Sequence, residues 1–248
     1  MGPACFAAGI PRSVDVRPHP HIGLSTLTYL FEGEIMHRDS VGSEQAIVPS
    51  EVNWMVAGRG ITHSERFERA RREGGPMDGL QAWVALPKED EETAPAFFHH
   101  SVDELPSAEE GGVRRRLIAG EAHGLRSPVR THSPLFYVYS ELAPGAREKL
   151  PDGVPERAAY VISGEVEADG QRFAEGQLLV FGAGAALLDA RTPAKLMLLG
   201  GEPVGERFIE WNFVSSSRER IEQAKADWRA GRMKLPDLDD REFIPLPD

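Results

Sequence analysis

The chain is written twice. The segment Tyr29-Leu-Phe-Glu-Gly33-Glu34-Ile35 returns 131 residues later as Tyr160-Val-Ile-Ser-Gly164-Glu165-Val166. Each copy reads as a strand, a glycine turn and the start of a second strand, and self-similarity at a fixed offset constrains a fold more than any single motif does. The sequence that follows each copy, Gln45–Met55 and Phe173–Phe181, is again a turn followed by an apolar strand. Leu80–Leu86, Val113–Ala119, Leu135–Leu142 and Leu196–Leu199 are short, rich in β-branched or aromatic residues, and bounded by Gly, Pro or Asp. With 25 Gly and 19 Pro in 248 residues, turn formers exceed their usual shares of about 7 and 5 per cent. These features predict two all-β units of sandwich or barrel type, divided near Gly124–Pro128 into residues 1–126 and 127–248.

Helix is expected only at the end of the chain. Ser216-Ser-Arg-Glu219 spells a capping box, Ile221, Ala224, Lys225 and Trp228 follow at helical spacing, and Gly231 supplies the stop. The formal net charge of −11 repels polyanions and argues against a nucleic-acid or anionic-membrane partner. Arg114, Arg115 and Arg116 form a basic run, read as decoration of a solvated strand face. A single cysteine, Cys5, and the lack of a basic-then-apolar leader or a membrane-length apolar run predict a cytoplasmic protein.

Chemistry is concentrated in the first copy. His19-Pro-His21 places two imidazoles at i and i+2, which share one face of a strand. Eight histidines in 248 residues produce such a pair by chance in roughly one chain in four, so the pair alone decides little. His63-Ser-Glu65 repeats the spacing and adds a third imidazole and a carboxylate. If the two strands are neighbours, four ligands converge. Mixed nitrogen and oxygen donors without thiolate suit Fe(II), Mn, Ni or Cu(II) better than a closed structural zinc site. Four ligands on a six-coordinate ion leave two positions for dioxygen, water or an oxygen-donor substrate. In the second copy Leu150 and Asp152 stand where His19 and His21 do, and the segment around Ala186–Asp189 has no histidine, so that unit is expected to be metal-free. His37, His99, His100, His123 and His132 are read as ordinary surface or hydrogen-bonded histidines, with His99 and His100 in an acidic loop.

Arg17-Pro-His-Pro-His-Ile-Gly23, Glu34-Ile-Met-His-Arg-Asp-Ser40, Trp54-Met-Val-Ala-Gly-Arg-Gly-Ile-Thr-His-Ser-Glu-Arg66 and Trp211–Ser216 resemble the pirin family of bicupins over almost the whole chain. The resemblance implies two tandem cupin (jelly-roll) barrels with a short C-terminal helix. It also implies one metal in the first barrel, Fe(II) ahead of Mn, Ni, Cu or Zn, held by His19, His21, His63 and Glu65. Two departures are visible. The glutamate that general cupins carry shortly after His-x-His is replaced by Ser25 or Thr26, as in pirins, with Glu65 supplying the carboxylate. The Pro-Gly-Asp turn of the second cupin motif reads Pro49-Ser-Glu51, where a left-handed backbone would cost Ser more than Gly. Met1-Gly-Pro-Ala resembles an internal pirin segment, so the resemblance also implies an N-terminal piece that precedes Met1 in other pirins.

Three functions of different classes follow. The resemblance implies a quercetin 2,3-dioxygenase that cleaves a small aromatic flavonol with O2, with Glu65 as ligand and as the base that takes the flavonol hydroxyl proton. Ile22, Leu24, Trp54, Met55 and Ile61 are candidates for lining its cleft. The alternative is a non-enzymatic, iron-dependent regulator that binds a protein partner, and the third is a metal-free structural bicupin.

Overall fold

The computed structural model describes residues 4–182, 184 and 186–247. They form two compact units, Met1–Val102 with Val204–Asp248, and Asp103–Pro203. The division expected at residue 126 falls inside the second unit. There Leu125–Arg126 folds back as a hairpin onto Glu121–Ala122 and so belongs to the sheet rather than to a linker. The terminal helix, expected with the second unit, lies in the first. Its buried residues Ile221, Ala224 and Trp228 pack with Ile22 and Phe213, because the helix stripe can be buried only against another apolar face.

The repeat read in the sequence is a repeat of topology. In the first unit one sheet runs Ala4–Phe6, Gly75–Ala85, Leu24–Glu32, Val52–Val56, Ala96–His100, and the other Val16–His21, Ile61–Arg66, Ile35–Asp39, Glu44–Ile47. In the second unit the same places are taken by Ala194–Gly201, Glu156–Ser163 and Leu178–Phe181 in one sheet. Arg147–Lys149, Leu187–Ala190, Glu165–Ala168 and Gln171–Ala174 take them in the other. Adjacent strands in both are antiparallel, so each unit is a two-sheet jelly roll. Gly33 and Gly164 explain why the repeat is spelled around glycine. Their φ values are 91° and 83°, and a Cβ would come within 2.8 Å of the Pro76 carbonyl oxygen at the first and 2.2 Å of the Pro193 carbonyl oxygen at the second. Ser50, where a glycine was the expected residue type, does adopt φ 69°, a left-handed conformation that L-residues other than Gly pay for.

The terminal helix runs Arg218–Arg229 with Ser217, not Ser216, as its N-cap; Ser217 Oγ accepts from the Arg220 amide at 3.3 Å. The expected capping box does not form, since Arg220 stands three residues after the Ser217 cap, and the Glu91 carboxylate takes both the Ser216 amide, at 2.8 Å, and its hydroxyl, at 2.9 Å. A second, six-residue helix, Glu68–Glu73, was not foreseen. Among the described residues no helix is long and apolar enough to cross a membrane.

Candidate metal centre

The Val16–His21 strand pairs with Ile61–Arg66 so that His19 lies opposite His63. His21 points to the same face as His19, and the three imidazoles converge, with ring centroids 4.3 Å apart for His19–His63 and 5.1 Å for the other two pairs. One ligand nitrogen from each lies within 4.8 Å of the others, and all three residues are buried. Glu65, expected as the fourth ligand, follows His63 on the same face and is also buried, but its carboxylate lies outside the group of ligand atoms that the three histidines form. Its carboxylate Oε1 accepts a hydrogen bond from Gln81 Nε2 at 2.9 Å. Glu65 stands near enough to His19 for its negative charge to act on that imidazole.

Burial lowers the basicity of all three histidines. It pushes His21 and His63 well below the ordinary imidazole range, and His19 down as well, although the Glu65 charge opposes the fall at His19. Uncharged imidazoles keep the lone pairs that a metal needs. The hydrogen bonds decide which nitrogen offers them. His19 Nδ1 stands 2.9 Å from the Arg17 carbonyl, which only accepts, so Nδ1 donates and Nε2 is left bare. His37 Nε2 lies 3.0 Å from Asp39 Oδ2, and His37 Nδ1 lies 3.3 Å from His63 Nδ1. Burial tends to raise Asp39, but the His37 hydrogen bond and the Ser43 amide outweigh it and hold the carboxyl below its usual range. An ionised Asp39 accepts from His37 Nε2–H, His37 Nδ1 then accepts from His63 Nδ1–H, and His63 Nε2 is left bare. The Nε2 atoms of His21 and His63 are buried without a hydrogen-bond partner, a costly state that a bound cation would relieve. The donor set therefore fits a metal ion.

His37 is the residue that sequence reasoning passed over. It is 3% exposed, stacks on Phe97 at 4.3 Å and backs directly onto His63. The signal was present: His37-Arg-Asp39 is the same i, i+2 spacing as the other pairs, on a strand whose alternate residues are buried. Asp39→Ala should weaken metal binding by about 10–100-fold, since partners that orient a ligand imidazole carry effects of that size. Competitive titration against a chromophoric chelator reads it.

The outer face of the ligand strand is also engaged. Thr62 bonds the Lys234 carbonyl and Ser64 bonds Asp239. Arg66 grips Asp239 through two bonds of 2.6 and 2.7 Å. Both faces of Ile61–Arg66 are thus buried, one by the histidine cluster and one by the C-terminal segment.

Of the five residues expected to line a cleft, Met55 and Ile61 pack with Phe97 beside His37. Ile22 instead belongs to the cluster around Phe213 and Trp228, while Leu24 and Trp54 are fully buried core. Residues not foreseen stand at the cluster instead. Gln81 and Trp83 share the face of their strand that looks toward the histidines; Trp83 is 43% exposed and stands edge-on to His21 at 5.2 Å. His99 and His100 lie on the Ala96–His100 strand, not in a loop, and His99 Nδ1 donates to Asn53 Oδ1 at 2.6 Å.

In the second unit the Leu150 amide bonds the Ala186 carbonyl at 3.0 Å, the pairing that matches His19 with His63. Leu150, Ala186 and Leu188 are buried there in one apolar cluster, and their side chains carry no donor atom for a metal.

Two jelly rolls in tandem with the same strand order, one holding converged imidazoles and the other an apolar plug, define a bicupin with a candidate metal site. The Pirin family profile matches residues 1–84 and the Pirin C-terminal cupin domain matches residues 137–234; the chain belongs to the pirin family. A pirin-like protein of Caulobacter vibrioides is 66% identical over 250 residues, covering 100% of this chain and 87% of that one. A Pseudomonas aeruginosa relative whose name carries a provisional quercetin 2,3-dioxygenase assignment is 38% identical over 242 residues, covering 96% and 75%. A crystal structure named as quercetin 2,3-dioxygenase from Acinetobacter baumannii superposes with a TM-score of 0.87 at 32% identity, covering 100% of this chain and 83% of that one.

Proposed function

We propose that the protein is a mononuclear metal-dependent dioxygenase that cleaves quercetin-type flavonols with O2, with Fe(II) as its metal. The observation that carries the reading is the buried trio His19, His21 and His63, in which the Nε2 atoms of His21 and His63 have no hydrogen-bond partner, a lack that a cation would relieve. Relatives that bear the quercetin 2,3-dioxygenase name support the choice of reaction. His19, His21, His63 and Glu65 would hold the metal. When bound, it supplies a Lewis-acidic, redox-capable centre with room for O2 and an oxygen donor.

The chain's own groups do the rest. The Asp39–His37 pair keeps the His63 proton on Nδ1, and the Arg17 carbonyl does the same for His19. Glu65 takes the flavonol hydroxyl proton onto its carboxylate, which a base within hydrogen-bond reach can do. Trp83, exposed beside His21, offers an apolar wall to a planar ring system.

The test is turnover. Protein loaded with Fe(II) and given quercetin under air should bleach the flavonol absorbance and release carbon monoxide. A rate no greater than that of His63→Ala would overturn the dioxygenase reading. Stoichiometric metal without turnover would then favour an iron-dependent regulator that binds a protein partner, and absence of metal a structural bicupin.

A further inference from the structure

We infer that Gln81 is a positioning residue for the metal shell: its amide holds one oxygen of Glu65 and thereby restricts that carboxylate to metal binding through the other. This inference rests on Glu65 being a ligand beside His19, His21 and His63.

Three contacts define the arrangement. Gln81 Nε2 donates to Glu65 Oε1 at 2.9 Å and lies 3.1 Å from Thr28 Oγ1, while Trp83 Nε1 donates to Gln81 Oε1 at 3.4 Å. An amide has two distinguishable ends, one accepting and one donating. The indole N–H is only a donor, so it fixes the carbonyl end of Gln81 toward Trp83 and turns the NH2 end toward Glu65. Thr28 lies directly across the sheet from Gln81 in the strand register and only accepts the second N–H of that group, a bond that water can replace because the Gln81 side chain is exposed. The amide is thus held on both ends.

The position of Gln81 argues against a casual surface contact. Glu65 is buried, at 6% exposure, and a buried carboxylate needs a donor. Gln81 sits on the strand that forms the open edge of the site, two residues before the exposed Trp83, and reaches inward from solvent to a group on the opposite sheet. A hydrophobic residue here would leave Glu65 Oε1 free to swing onto the metal as a second donor atom. That would occupy one of the positions that a substrate oxygen or O2 requires. The clamp therefore bears on how many positions stay open, through Glu65 and without contact to the metal.

Co(II) makes this visible, because its visible bands weaken as coordination number rises. Full-length protein is stripped and titrated with Co(II), as wild type, Gln81→Met and Thr28→Val, with circular dichroism and thermal melts to show that each is folded. Gln81→Met keeps the length of the side chain and removes the donor. It should bind Co(II) about 10–100-fold more weakly, with reduced and shifted visible bands. Thr28→Val, which keeps the Gln81–Glu65 bond, should leave the band positions of wild type.

Bands and Kd of folded Gln81→Met that superpose on wild type would overturn the clamp while leaving the metal site standing. Equal changes in Thr28→Val would overturn it too, since they would trace the effect to packing of the sheet. Wild-type protein that takes up no Co(II) would overturn the metal reading and the clamp together.

Discussion

His63→Ala is expected to abolish stoichiometric metal binding, with a loss in affinity greater than the ~100-fold that follows removal of a partner that only orients a ligand. The reason is geometric. His63 touches both other imidazoles, 4.3 Å from His19 and 5.1 Å from His21 between ring centroids, and it connects the cluster to His37 and Asp39. Without it two nitrogens on one strand remain, and the Asp39–His37 pair orients nothing. The same substitution relieves three desolvated imidazoles of mutual crowding, so the metal-free variant should melt close to metal-free wild type. The difference appears on adding metal. At a concentration of 100 times Kd, wild type gains about 2.7 kcal/mol by mass action, and His63→Ala gains nothing. Melting curves with and without Fe(II) under anaerobic conditions, together with elemental analysis, measure both effects. Metal retained at one per chain in the variant would remove His63 from the shell.

Arg115→Met should destabilise the second unit by about 3–5 kcal/mol near neutral pH, the cost of leaving a buried charge without its partner. Arg115 Nε lies 2.9 and 3.0 Å from the two oxygens of Glu148, whose side chain is fully buried, and Arg115 itself is 11% exposed. The consecutive arginines had suggested a solvated face. Strand alternation instead sends Arg114 outward to Glu141 and Arg115 inward to Glu148.

The pH dependence has a definite sign. Burial raises the Glu148 carboxyl above its ordinary range even though Arg115 and Ser140 pull it down. A raised folded-state pKa means that this group favours the fold most below its unfolded pKa, and that the contribution is lost as pH rises through the folded value. Removing Arg115 takes away the main opposing influence, so Glu148 should hold its proton to higher pH. The penalty in Arg115→Met is therefore expected to shrink on going from pH 7.5 to pH 5. Denaturant titrations at the two pH values check this; a penalty independent of pH would show that the ion pair is not its source.

Much of the site was legible because strands are periodic. Residues at i and i+2 share a face, so His19 and His21, and His63 and Glu65, could be grouped without coordinates, and the duplicated strand-glycine-strand segments indicated which copy each belonged to. The 131-residue offset of the repeat also predicted that Leu150 would replace His19. His37 obeyed the same rule and was missed, since one histidine beside an aspartate on a strand has no distinguishing chemistry until its neighbour across the sheet is known. Gln81 and Trp83 carried no signal at all. A glutamine and a tryptophan in an alternating strand look like surface and core.

The sequence by itself determined that the chain folds as two similar β units, that glycine turns at Gly33 and Gly164 join matching strands, and that the His19, His21 and His63 pattern is written in the first copy and not at the matching positions of the second, because each follows from local backbone sterics and side-chain alternation. Only the tertiary structure decided that His19 faces His63, that Asp39 and His37 set the tautomer behind them, that Gln81 reaches Glu65, and that the terminal helix returns to the first unit. Those depend on strand register between segments tens to hundreds of residues apart, and register is set by what each face must bury, which no single segment contains.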